Sequence, residues 1–411
     1  MIKYNTFTLK NGLKVIHHQD KTTPMVVVNT IYNVGARDED ESRTGFAHLF
    51  EHLMFGGSKH IENFDAPLQL AGGECNAFTN NDITNYYNTL PSENIETALW
   101  LESDRMLELA FTPKSLEVQR QVVIEEFKQR YLNQPYGDVW LQFRPLIYKT
   151  HPYKWATIGK NIQHIEEATM EDVKNFFYKH YGPQNATLVV GGNVDLDTTK
   201  ELVTKWYASI PSREKYVRNI SPEPKQTETR RLNIDRKVPT DAIYISFRMG
   251  GRLTHDHYLG DITSDVLSAG KSSRLYLSLV KDKKLFTDVN AYILGGIEDG
   301  IFLFSGHLME GVDFKTAEQS ILNEVDILIE KSISENEMTK IKNKFQTAKA
   351  FQEQSLLNRV MNLAMYDQMD MLDSINTEKD IYENIKIEEL INFSKQTFTP
   401  TNMSVLTIKA I

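Results

Sequence analysis

The sequence predicts an α+β fold built from two related halves, and three observations support this prediction. The chain has 411 residues, which is more than one hydrophobic core usually serves. Each half begins with segments that alternate like strands and continues with segments of helical periodicity, as α+β domains do. Near mid-chain, residues 211–228 are polar, are interrupted by prolines and lack an apolar face, which indicates a linker. We therefore expect domains over residues 1–210 and 229–411.

The elements of the first half follow from turn signals and periodicity. Two strands over residues 6–17 flank Asn11-Gly12, a strong tight-turn signal, and a strand rich in β-branched residues runs from Met25 to Val34. A short apolar run, residues 187–191, predicts a buried strand. Segments whose apolar residues recur three and four positions apart are predicted helices: 44–55, 94–109, 113–131 and 170–181.

The second half weakly repeats the first. Residues 31–37 compare with residues 246–252, because each is a strand that runs into a Gly-x-Arg turn before a helix. This similarity, 215 residues apart, predicts an internal duplication. The remaining elements expected in this half are two strands and two helices: 288–294, 300–306, 314–331 and 335–354.

Composition and charge exclude several classes of function. With 46 basic and 55 acidic residues the net charge is −9, which argues against binding to nucleic acid or to an anionic membrane as the main role. Cys75 is the sole cysteine, so an intramolecular disulfide and a cysteine-cluster metal site are excluded, and a reducing compartment fits. The N-terminus already alternates like a strand and leaves no room for a signal peptide, so we expect a cytoplasmic location.

The most informative motif is an H-x-x-E-H sequence, formed by His48, Glu51 and His52. Residues four apart lie on one face of a helix, so the two imidazoles can converge on one cation. Zinc accepts imidazole and carboxylate ligands, and a catalytic zinc keeps one position open for water. Glu51 lies beside that face, where a carboxylate can act as the general base that takes a proton from water.

A chance occurrence on an exposed helix face is the alternative explanation of this motif. The flanking residues of the helix are strongly apolar, which predicts a buried helix, and buried titratable groups need partners such as a metal. A third ligand is then required. Glu125 and Glu126 lie on a second predicted helix with apolar neighbours, and spacing alone does not choose between them.

Several separate stretches resemble one known family, and their order and separations fit along nearly the whole chain. They are Gly35–Glu39, Gly45–Phe55, Gly72–Thr79, Thr84–Tyr86, Val122–Glu126, His151–Tyr153 with Ile158-Gly159, and Tyr181–Ala186. In these stretches the chain resembles the M16 (pitrilysin-like) metallopeptidases, specifically the shorter bacterial members similar to mitochondrial processing peptidase subunits. The resemblance implies two homologous halves, each a mainly antiparallel sheet packed with helices, that form half of a clamshell.

The resemblance also implies site residues and an activity. His48, His52 and Glu126 would bind one zinc ion per chain, with Glu51 as the general base. An edge strand formed by Asn76, Ala77, Phe78 and Thr79 would line the cleft and hold a substrate peptide by β-augmentation. The activity implied is zinc-dependent endopeptidase cleavage of unfolded peptides.

Two departures from the family pattern qualify this expectation. Gln119 stands seven residues before Glu126, where many members have an acidic residue. We expect this difference to adjust the properties of the zinc site rather than to abolish it. Val280 and Thr287 stand where self-sufficient members carry a substrate-gripping arginine and tyrosine. The second half also lacks the metal residues, because Thr263, Val266 and Leu267 occupy the positions equivalent to His48, Glu51 and His52.

These departures predict the catalytic subunit of a heteromeric peptidase, with a homologous partner that supplies the Arg–Tyr pair. A homodimer or monomer in which Lys281 or Tyr276 substitutes for the pair is the alternative arrangement. The alternative functions are a zinc-retaining scaffold subunit with little activity and a non-proteolytic hydrolase that uses the same zinc. The other histidines lack a metal-ligand pattern, and no phosphate-binding or dinucleotide motif is present.

Overall fold

The computed structural model describes residues 1–411, and the chain separates into two compact units. Unit 1 comprises Met1–Arg130, Trp155–Ser221 and Ala350–Asn376, and unit 2 comprises Tyr131–Lys154, Pro222–Lys349 and Thr377–Ile411. The step from Ser221 to Pro222 between units lies within the polar segment 211–228.

Eleven strands and fourteen α-helices make up the chain. The strands are β1 Asn5–Thr8, β2 Lys14–Gln19, β3 Met25–Tyr32, β4 Glu74–Thr79, β5 Thr84–Pro91, β6 Ala186–Gly192, β7 Arg230–Arg236, β8 Ala242–Met249, β9 Phe286–Leu294, β10 Gly300–Leu308 and β11 Met403–Ala410. The helices are α1 Phe46–Leu53, α2 Asp65–Leu70, α3 Ile95–Leu107, α4 Pro113–Phe127, α5 Val139–Ile147, α6 Gln163–Glu166, α7 Met170–His180, α8 Leu196–Tyr207, α9 His255–Ser268, α10 Phe314–Lys331, α11 Glu335–Gln352, α12 Leu356–Gln368, α13 Glu378–Asn384 and α14 Ile387–Thr397.

Unit 1 contains a six-stranded mixed sheet in the order β1-β2-β6-β3-β5-β4. Only β2 and β6 run parallel, and every other neighbouring pair is antiparallel. The predicted turn between the first two strands is confirmed, and its Gly12 has a left-handed φ of 94° that favours glycine. β4 lies at one edge of the sheet, which leaves one side of this strand without a neighbouring strand.

Unit 2 contains a five-stranded sheet in the order β7-β11-β8-β10-β9. β7 and β11 run parallel, and the remaining neighbours are antiparallel. This order and these directions match those of β2-β6-β3-β5-β4 in unit 1, with a helix between the third strand and the edge strand in both. The shared topology confirms the related halves that the weak repeat predicts.

Each unit includes one segment whose neighbours in the sequence belong to the other unit. α12 covers the unit 1 sheet because its apolar side chains Val360, Leu363 and Ala364 join the core under β3 and β6. α5 contributes Val139 and Phe143 to the core beside β7 and β11 in unit 2. A division into two contiguous halves does not anticipate this exchange, because an apolar helix face reveals that it is buried but not which sheet buries it.

Segment 211–221 makes specific contacts within unit 1. The Arg213 guanidinium donates hydrogen bonds to the carbonyls of Met106 and Leu107 at the end of α3, and of Phe177 and Tyr181 at the end of α7. A cation at helix C-termini satisfies carbonyls that have no partner within the helix. No helix of the chain is both long and apolar enough to span a bilayer.

Candidate active site

The helix α1 carries the H-x-x-E-H motif, and its N-terminus is formed by Gly45 and capped by the carboxylate of Glu39. Gly45 has φ 90°, and a Cβ there would lie 2.7 Å from the Ile158 carbonyl oxygen, so only glycine fits. The Glu39 carboxylate accepts hydrogen bonds from the amides of Gly45 (2.9 Å) and Ala47 (2.8 Å). Burial raises the pKa of Glu39 to about 8, and the hydrogen bonds from Ala47 and Gly45 oppose this rise. Glu39 therefore satisfies the first amides of the motif helix.

The apolar side of α1 is packed against α7, which fixes the direction of the polar side. The rings of Phe46 and Phe50 contact the ring of Phe176 at centroid distances of 5.8 and 5.1 Å. Leu49 and Phe50 are fully buried. The prediction that the motif helix is buried is confirmed, and the alternative of an exposed polar face is wrong.

Two histidines of α1 and one glutamate of α4 converge. The Nε2 atoms of His48 and His52 lie 3.3 and 3.8 Å from Oε2 of Glu126, and the possible ligand atoms of the three residues lie within 4.8 Å of one another. Glu125 instead points outward and pairs with Lys128 at 2.7 Å. Of the two candidate glutamates, the structure therefore brings only Glu126 to the histidines.

The protonation state of His48 and the burial of Glu126 suit a metal ion. Burial, with repulsion from His52 and Arg130, lowers the pKa of His48 to about 3, so this imidazole is neutral and keeps a lone pair. Oε2 of Glu126 is buried and has no hydrogen-bond partner. A buried carboxylate oxygen next to two imidazole nitrogens normally needs a compensating partner, and zinc accepts this donor set. The three residues fit a zinc ion with an open coordination position.

Glu51 connects the motif helix to the edge strand β4. Burial raises the pKa of Glu51, while hydrogen bonds from the hydroxyl and the amide of Thr79 oppose the rise. Thr79 is the last residue of β4. The structure therefore brings the motif carboxylate to the end of the strand predicted to hold substrate.

β4 pairs with β5 on one side only. The Ala77 amide donates to Oδ1 of the adjacent Asn76 at 2.8 Å, and the Thr79 amide donates to Glu51. Since alternate amides of a strand point the same way, the amides of Ala77 and Thr79 both face the open edge. Asn76 is exposed and Phe78 is half-buried, which leaves the edge accessible to a peptide.

The other predicted positions lie apart from these contacts. Gln119 is half-buried on α4, two turns before Glu126. In unit 2, the equivalents of the motif residues, Thr263, Val266 and Leu267, are buried on α9 in an apolar setting. Val280 packs against the core of unit 2, and Thr287 is exposed on β9.

Three other histidines have structural surroundings, as expected. His17 and His18 are buried in β2, where ring nitrogens bond to the backbone carbonyls of Val194 and Lys3. His255 pairs with Glu389 at 3.0 Å.

Sequence reasoning assigned no role to two charged residues of the site. Arg130 lies in the π-helical turn Lys128–Leu132 that continues α4, and its Nη1 atom is 3.9 Å from Oε2 of Glu126. Its spacing of four residues from Glu126 is the signal that could have revealed it. The capping role of Glu39 has no such signal, because this residue lies six positions before the amide of Gly45 that it binds.

Comparison with known proteins supports the assignment of both halves. The family model described as Insulinase (Peptidase family M16) matches residues 14–139, and the one described as Peptidase M16 inactive domain matches residues 167–345. The zinc protease PqqE of Helicobacter pylori is 28% identical over 414 residues, which cover 99% of this chain and 93% of the relative.

Solved structures share the fold over the whole chain. The crystal structure of a protease from Helicobacter pylori matches with a TM-score of 0.94 at 28% identity and covers 100% of both chains. The periplasmic protease PqqL from Escherichia coli has the same fold, with a TM-score of 0.82 at 17% identity, and this chain spans 47% of its length. By sequence and by fold, the chain belongs to the M16 family of peptidases.

Proposed function

We propose that this chain is a zinc-dependent endopeptidase that hydrolyses peptide bonds in unfolded peptides held as an extended strand. The observation that carries the proposal is the convergence of His48, His52 and Glu126, with Glu51 between this cluster and the open edge of β4. Relatives named zinc proteases support the same activity.

His48, His52 and Glu126 would hold the metal. Zinc bound there would supply Lewis-acid polarisation of the scissile carbonyl and would lower the pKa of a water molecule to about 7. Glu51 would be the general base that accepts a proton from the attacking water and then passes it to the leaving amine. The raised pKa of Glu51 suits this role, because a general base is most effective when its pKa lies close to the pH at which the enzyme works.

The edge strand β4 provides the peptide site. An extended substrate would pair with β4 as one more strand, and the Ala77 amide would exchange its bond to Asn76 for a bond to the substrate. Recognition through backbone groups depends on an extended conformation more than on side-chain identity. This explains why unfolded peptides are the substrates proposed.

We further propose that the chain is the catalytic subunit of a heteromer. The zinc cluster of unit 1 is complete, whereas Val280 and Thr287 provide neither the arginine nor the tyrosine expected of a self-sufficient member. The similar protease PqqL is about twice as long, so a second half is present there within one chain. A homologous subunit with the Arg–Tyr pair would supply it here, and a second copy of this chain is the alternative.

A zinc-retaining scaffold is the second candidate function. It is favoured by the C-terminal match, whose family model is described as an inactive domain. Measuring the metal content and the cleavage of a quenched peptide separates the two candidates. A peptidase binds about one zinc ion and turns over, alone or with its partner, whereas a scaffold binds zinc and cleaves nothing in either case.

A further inference from the structure

One cation lies directly beside the candidate ligands. Nη1 of Arg130 is 3.9 Å from Oε2 of Glu126, the same oxygen that faces both histidines. Its side chain is 64% exposed, although the ligand side chains are mostly buried. Arg130 therefore reaches from the surface to the edge of the cluster.

The contact between Arg130 and Glu126 is long, and most of the Arg130 side chain stays exposed. At 3.9 Å it is longer than a hydrogen bond, whereas the neighbouring pair Lys128–Glu125 on the same helix closes to 2.7 Å. When Glu126 commits its charge to a metal ion, its attraction for the guanidinium weakens. Arg130 then has five donors, and its side chain is free to bind an anion that forms beside the metal.

We infer that Arg130 is a catalytic residue that binds the scissile carbonyl oxygen as negative charge develops on it. The inference rests on the proposed peptidase function and adds a donor within unit 1. A guanidinium placed beside a developing oxyanion stabilises the transition state more than the ground state. The substrate carbonyl is neutral when it binds, so Arg130 should contribute little to peptide affinity and much to the affinity for a tetrahedral anion.

The experiment measures binding of a phosphonamidate peptide, a charged tetrahedral mimic, to the zinc-loaded full chain. Arg130→Ala should weaken this binding by about 10- to 100-fold, as expected for the loss of a charge-assisted hydrogen bond. Arg130→Lys should restore part of it. Lys128→Ala is the matched control, because it removes the same charge two residues away without removing a contact to Glu126.

Three further measurements make the result specific. Zinc content should equal that of the wild-type chain in all variants. In a Glu51→Gln background, affinity for the uncleaved parent peptide should change less than about threefold on Arg130→Ala, because the carbonyl is uncharged. Where the chain turns over, Arg130→Ala should lower kcat and leave KM nearly unchanged.

The contrary outcomes separate this inference from the proposed function. Equal losses of analogue binding in Arg130→Ala and Lys128→Ala would mean that only long-range electrostatic attraction is involved, which would overturn the role of Arg130. Unchanged analogue binding in Arg130→Ala, or loss of its zinc, would overturn that role as well. In each case the peptidase proposal stands. A wild-type chain that takes up no zinc would overturn both.

Discussion

At the scale of single residues, the site depends on which side chains point toward the cluster. His48 and His52 are one helical turn apart, so the sequence alone predicts that they converge. The choice of Glu126 over Glu125 required the family resemblance or the structure, because adjacent helical positions face different directions and the helix could have presented either. The spacing of four residues between Arg130 and Glu126 could have revealed their contact, whereas no pattern in the sequence marked the amides that Glu39 binds.

Replacing each of the two neighbouring glutamates by glutamine, in separate variants, tests the ligand assignment. Glu126→Gln should sharply lower zinc occupancy, because an amide oxygen is a weak ligand for zinc. Glu125→Gln should keep about one zinc ion per chain, since Glu125 contacts only Lys128 on the surface. Metal analysis of the purified variants measures the difference. If Glu125→Gln lost zinc and Glu126→Gln kept it, the third ligand would be wrongly assigned.

The base and the ligands should respond differently to substitution. Glu51→Gln should retain zinc and reduce turnover by about 10²- to 10⁴-fold, because it removes only the proton acceptor. His52→Ala should lose zinc and turnover together. Metal content is measured on the purified variants, and cleavage of a quenched peptide is measured on the same preparations with the candidate partner subunit added. A fully active Glu51→Gln variant would refute the mechanism.

At the scale of elements, most helices and strands follow from periodicity, and their packing does not. The helix α10 has the predicted bounds, and α4 stops four residues before the predicted end because a π-helical turn follows. The exchange of α5 and α12 between the units was not predictable, because an amphipathic pattern shows that one face of a helix is buried but not which sheet it packs against.

The cap of the motif helix should contribute to stability. Glu39→Ala leaves the amides of Gly45 and Ala47 buried without an acceptor, which should cost about 1–3 kcal/mol in the free energy of unfolding. Glu41→Ala is the control, because Glu41 pairs with Lys160 on the surface and should change stability by less than about 1 kcal/mol. Urea denaturation of the apo chains measures both. Equal effects would mean that Glu39 does not cap α1.

The open edge of β4 predicts a preference for extended substrates. A protein should be cleaved much faster unfolded than native, because pairing with β4 requires a free strand. Proline at a position of the peptide that pairs with β4 should depress cleavage, since it has no amide hydrogen. Proline placed beyond the paired region is the control. Equal rates on native and unfolded forms of one protein would contradict recognition by β-augmentation.

At the scale of the whole molecule, the two units share a topology and differ in chemistry. Unit 1 contains the complete cluster of His48, His52 and Glu126, whereas the equivalent helix of unit 2, α9, is filled with buried apolar and hydroxyl side chains. Comparison of the two halves of the sequence predicted this asymmetry, because the residues of the motif lie close together in the chain. Whether a second subunit completes the site is a property of an assembly, which one sequence does not contain.

The isolated chain should be nearly inactive until a homologous subunit with the Arg–Tyr pair is added. A valine at position 280 donates no hydrogen bond, and loss of one donor to an oxyanion typically costs about 10²- to 10³-fold in rate. Val280 packs against the core of unit 2, so an arginine restored there would bury a charge, and supplying the partner in trans is the cleaner test. Arg130 would provide one donor, which leaves the deficit at Val280 and Thr287.

Cleavage of a quenched peptide should therefore rise strongly when the candidate partner is mixed with this chain. The partner alone, which would lack the H-x-x-E-H motif, should cleave nothing, and mixing it with the Glu51→Gln chain should restore nothing. These controls assign the chemistry to unit 1 and the missing donors to the partner. Robust turnover by the pure chain, unchanged when the partner is added, would instead mean that Arg130 and residues such as Lys281 or Tyr276 suffice, and that the enzyme is a monomer or a homodimer.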